Sequence, residues 1–131
     1  MKFLRLTKSI VFILFALMML NGGLNKIFNY LPVPEDLPEE LINDSIAMME
    51  IVWLMPLVAG AEIIGGILLL IPRTRALGML VIFPVMVGIL CAHVFVAPSG
   101  LPTALILWII LLVMIADHWK TFKPLLSAKQ V

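Results

Sequence analysis

A chain of 131 residues has the length of about one domain. It is 63% hydrophobic and 13% charged, against about 45–50% apolar and about 25% charged in soluble domains. A small soluble domain hides only about two-thirds of its unfolded surface, so a soluble enzyme is excluded. The net charge of +1 excludes the basic face of a nucleic-acid binder. A single cysteine allows neither an intrachain disulfide nor a CxxC motif, and no phosphate-binding glycine loop, GxSxG elbow or HExxH motif occurs.

The apolar residues fall into four runs: about 4–28, 52–71, 76–97 and 101–119. About 20 helical residues cross a hydrocarbon core of about 30 Å. In lipid every backbone polar group must be satisfied within the segment, so each run is predicted to be a helix. The expected architecture is all-α, one integral-membrane four-helix bundle running up-down-up-down. Run one begins like a signal peptide, with Lys2, Arg5 and Lys8 before Ile10–Leu20. It lacks a small-residue cleavage site and continues apolar to Phe28, so it is expected to remain as a span. Residues 29–51 form a long connection, while 72–75 and 98–100 are tight turns between antiparallel neighbours. In the long connection Leu41, Ile42, Ser45, Ile46 and Met49 recur at helical spacing, which predicts a short helix over 38–49 on the membrane surface.

Charge sets the orientation. Eight of the nine basic residues lie at one side: Lys2, Arg5, Lys8, Arg73, Arg75, Lys120, Lys123 and Lys129. Six of the eight acids lie in the 29–51 loop. The basic side is expected to be cytoplasmic, with both termini inside. Tyr30, Trp53 and Trp119 suit the interfacial belts. Asp117 and His118 are expected to form an exposed helix end.

The candidate functional residues are the polar ones inside the spans, where a charge is costly (about 2.5–3.5 kcal/mol at a helix centre for Asp, Lys or Arg). Glu62 lies near the middle of run two, flanked on its face by Ala59 and Gly66, so a neighbouring helix can approach it closely. It reads as a catalytic proton relay or as a structural hydrogen-bonding carboxyl. Asn21, Gly22, Asn25, Lys26 and Asn29 form a polar stripe at the end of run one. Lys26 either lines a ligand cavity or snorkels to the headgroups. His93 lies at a similar depth in run three, and periodicity does not say whether it faces the bundle or lipid. We expect Asn25, Lys26 and His93 to bind a ligand in one outer-leaflet cavity. Glu62 is expected to connect to Lys26 through water or Asn25 rather than by contact. Glu62, Cys91 and His93 have no recognised metal-ligand spacing. Cys91 reads as a buried small hydrophobe and the nine methionines as packing.

These residues carry a resemblance. Asn21-Gly22-Gly23-Leu24-Asn25-Lys26-Ile27-Phe28 closes run one. Met55-Pro56-Leu57 precedes Glu62-Ile63-Ile64-Gly65-Gly66-Ile67-Leu68-Leu69-Leu70 in run two. His93 and Pro98-Ser99-Gly100-Leu101-Pro102-Thr103-Ala104-Leu105 follow. In order and spacing they resemble the DoxX family of small four-helix membrane proteins over nearly the whole chain. Asn21 departs from the small residue usual before the glycine. The resemblance implies a bacterial inner-membrane protein with both termini inside. Family members include a subunit of a thiosulfate:quinone oxidoreductase and partners in membrane redox complexes, and most have no assigned activity. Two readings stay open. One is a quinone-linked redox subunit that takes electrons from a protein partner, with quinone as its cofactor. The other is a non-catalytic accessory or scaffold protein whose buried polar groups are structural. Whether the chain is an enzyme is left open by both.

Overall fold

The computed structural model describes residues 1–127, and Lys129 of the basic set lies outside them. Among the described residues six α-helices follow one another: α1 Lys2–Phe28, α2 Glu39–Glu50, α3 Leu54–Leu70, α4 Arg75–Phe95, α5 Leu101–Asp117 and α6 Trp119–Leu126. A 3-10 turn, Pro98–Gly100, joins α4 to α5. Three segments are long and apolar enough to cross a membrane, or four if the bent α2–α3 pair counts as one span.

The ends of α1 and α3 satisfy carbonyls locally, as a chain in lipid must. α1 ends where Asn29 enters the left-handed region at φ 49°, a conformation asparagine tolerates better than most residues. Its N–H donates to the Asn25 carbonyl at 2.7 Å. The end of α3 is closed by side chains from the next turn. The Thr74 hydroxyl donates to the Leu68 carbonyl and Arg75 Nε to the Leu69 carbonyl, both at 2.9 Å. α2 follows Pro38 and opens with Glu39 and Glu40, acids that suit the positive end of a helix dipole. It buries no residue, and the chain bends by 97° between it and α3.

α1 packs on α3, α3 on α4, α4 on α5, and α5 closes against α1. Glycines let α1 and α3 approach closely at two points. A Cβ at Gly23 would lie 2.8 Å from the Ala59 carbonyl oxygen, and one at Gly66 would lie 3.0 Å from that of Ala16. The two contacts run in opposite order along α1 and α3, so these helices pass in opposite directions. Gly65 and Gly78 bring α3 equally close to α4. The apolar core lies towards the basic end. It is built from Phe12, Phe15 and Met19 of α1 with Leu69, Met79, Ile82, Met86, Leu111 and Met114. Four methionines there act as packing, their flexible thioethers filling irregular gaps. The outer faces carry Leu17, Ile64, Ile67, Leu77, Leu105 and Ile109 in the open. Apolar outside as well as inside is the pattern of helices solvated by lipid.

One expectation is corrected. Cys91 is exposed on α4; helical phase turns it away from the core face defined by Met79, Ile82 and Met86. Asp117 is an exposed helix end, as expected, and it also holds a partner. Lys8 Nζ donates to both its carboxylate oxygens, at 2.8 and 2.9 Å, tying the start of α1 to the end of α5.

Candidate functional site

Glu62 is the one buried charged residue among those described, 4% exposed. Lys26 Nζ donates to its Oε2 at 2.7 Å. The expectation that water or Asn25 separates them is therefore overturned, for a geometric reason. Every Cα–Cβ bond in a helix tilts towards that helix's N-terminus. Because α1 and α3 run oppositely, Lys26 leans back down α1 while Glu62 leans up α3, and the two side chains converge. Counting depth along each helix separately misses this.

The site has two further properties. The Lys26 side chain is 28% exposed against 5% for Glu62, so the ammonium opens outward while the carboxylate sits behind it. One of its three N–H groups serves Glu62, and the others have no partner among the described residues. Gly22 stands beside the carboxylate. A Cβ there would lie 3.6 Å from Oε2 and 3.8 Å from Oε1, so the glycine leaves a methyl-sized notch. No buried side-chain oxygen or nitrogen lacks a partner among the described residues. Oε1 accepts no bond from them. The cation, the carboxylate and the glycine lie together near the end of α1.

The other stripe residues serve the chain itself. Asn25 Oδ1 accepts the Leu31 N–H at 2.8 Å, securing the exit from α1. The Tyr30 hydroxyl reaches back to Asn21, 3.0 Å from its backbone oxygen and in contact with its side-chain oxygen. Tyr30 therefore belongs to this end of α1, a role its position alone did not reveal. His93 is half-buried, and its Nδ1 lies 3.2 Å from the Ala97 carbonyl oxygen. Its ring packs over Gly100, where a Cβ would overlap it. No hydrogen bond or ion pair joins His93 to Lys26, Asn25 or Glu62 among the described residues. The structure thus brings Lys26, Glu62 and Gly22 together and gives His93 separate partners. Two apolar cavities, of about 330 and 130 Å³, lie elsewhere and are lined by none of these residues.

Apolar helices with lipid-facing surfaces and an ion pair held between two of them define a multi-pass membrane protein. Its family model is DoxX, matched over residues 3–98, and the chain belongs to that family. No curated protein and no solved structure matches it. The matched region contains α1 to α4 and both members of the ion pair. It stops before α5, so the resemblance at Ser99–Leu105 falls beyond the match.

Proposed function

We propose that this DoxX protein is the membrane subunit of a quinone-linked redox complex of the bacterial inner membrane, acting with a protein partner that supplies electrons. In this reading α1, α3, α4 and α5 form an antiparallel bundle with both termini cytoplasmic, consistent with the basic residues gathered at one end. The single observation that carries the functional part is the half-open Lys26 ammonium backed by buried Glu62. A quinone binds where an apolar wall meets a hydrogen-bond donor and where a proton can be delivered. Bound quinone would supply the two-electron redox chemistry. Lys26 has N–H groups to offer one carbonyl oxygen. In this reading Glu62 exchanges a proton with Lys26, which donates to its Oε2. Asn25 uses only its Oδ1 within the chain, accepting from Leu31, which leaves its amide N–H group as a donor for the second carbonyl, while His93 Nδ1 lies against the Ala97 carbonyl.

A second reading has its own support. The ion pair joins α1 to α3 and so fastens the two helices, and such a fastener suits an accessory or scaffold protein. Solvent extraction of the protein purified from its native membrane in mild detergent separates the two. The redox reading expects about stoichiometric isoprenoid quinone, reduced several-fold in Lys26→Met. A stable protein partner with no quinone in the wild type would establish the scaffold reading instead.

A further inference from the structure

At the basic end His118 parts α5 from α6, and residues of α4, α5 and α6 line one cavity. This is the larger cavity, about 330 Å³. Met79, Leu80 and Phe83 of α4 form one wall, and Trp119, Phe122 and Leu125 of α6 form the floor. Its volume is at the small end of ligand pockets, about 300–1,000 Å³, and its named walls are apolar throughout. α6 is amphipathic. At about 100° per residue, Trp119, Phe122, Leu125 and Leu126 share one face, with Lys123 at its edge and Lys120 beyond. A short helix of this kind lies in the headgroup plane with its apolar face towards the acyl chains.

Charge selects the occupant. Lys2, Arg5, Lys8, Arg73, Arg75, Lys120 and Lys123 all lie at this end. Asp117 is the one carboxylate there among the described residues, and Lys8 already holds it. An apolar groove at the end of the molecule where the cations gather, part of it lined by the helix that carries Lys120 and Lys123, matches a molecule with the complementary division. We infer that this groove is a binding site for one anionic phospholipid, with an acyl chain lying between α4 and α6 and the phosphate at Lys120 and Lys123. The site lies at the opposite end of α1 from Lys26 and stands independently of the quinone reading. Its function is to fix α6, which otherwise holds to the rest of the chain through Phe122, its one buried side chain.

The test is competition on the intact protein in mild detergent. Phosphatidylglycerol and phosphatidylcholine with identical acyl chains are added in equal amounts, and retained lipid is counted by native mass spectrometry. Phosphatidylglycerol is expected to be retained at least about five-fold over phosphatidylcholine, about the effect of one lysine at an anionic surface. Lys120→Ala with Lys123→Ala should bring that ratio close to one, while Lys120→Arg with Lys123→Arg should preserve it. Leu80→Trp, which fills the groove, should reduce retention of both lipids. Equal retention of the two lipids by the wild type would overturn the inference, as would an unchanged ratio in the double alanine variant. If the alanine variant fails to fold, the wild-type competition decides alone.

Discussion

Lys26 and Glu62, 36 positions apart on α1 and α3, form an ion pair at 2.7 Å with the carboxylate almost wholly enclosed. Removing one member of such a pair strands the other. Lys26→Met is expected to lower stability by about 3 kcal/mol, the low end for breaking a buried pair because Lys26 is partly open. Lys26→Arg should recover much of the loss. Unfolding in mixed micelles under rising SDS reads both.

The two glycines at the end of α1 should respond oppositely. Gly23→Ala forces a methyl against the Ala59 carbonyl and the Ile63 side chain, both 2.8 Å from its Cβ. It is expected to destabilise by about 1–3 kcal/mol, as overpacking does. Gly22→Ala meets Glu62 at an ordinary 3.6 Å and should fold normally. It would fill the notch beside Oε1, so any proton-coupled activity should fall in Gly22→Ala while stability does not. Gly88 has open space around it, and Gly88→Ala is the neutral control.

His93 and Gly100 act as a unit at the α4–α5 turn. Gly100→Ala pushes the imidazole away from the Ala97 carbonyl, and the thermal midpoint in detergent should drop. His93→Ala removes the obstacle, so the double variant should be more stable than Gly100→Ala alone. Additive losses would show that the ring does not pack over Gly100.

Cys91, the chain's single cysteine, gives a probe of the lipid-facing side without further engineering. A nitroxide attached there should collide with oxygen dissolved in the bilayer far more often than with a water-soluble nickel chelate. Collision with neither would place it back in the interior.

The helices were legible because lipid demands continuous apolar runs, and each run became one. The groove beside Glu62 was legible too, since Ala59 and Gly66 repeat at helical spacing and α1 fills the space they leave. The partnership of Lys26 with Glu62 was not, because it depends on two side chains leaning in opposite directions on oppositely running helices. Lys8 and Asp117 meet across 109 positions, and no local pattern encodes such a distance. His93 illustrates the same limit. Its face could be drawn from periodicity, but the glycine that receives its ring lies beyond the end of its helix. The bend between α2 and α3 comes from a three-residue break, 51–53, that hydropathy alone does not mark.

The central claim is that Lys26 and Glu62 recognise each other directly, and a double-mutant cycle tests it most closely. Lys26→Met, Glu62→Met and the double variant are compared with the wild type by SDS-driven unfolding. An apolar pair of similar volume is about as stable as a buried ion pair, whereas half a pair is not. The double variant is therefore expected to be more stable than Lys26→Met alone, with a coupling of at least about 2 kcal/mol, within the range for residues in contact. Losses that add to within about 0.5 kcal/mol, as they do for residues that do not touch, would contradict it.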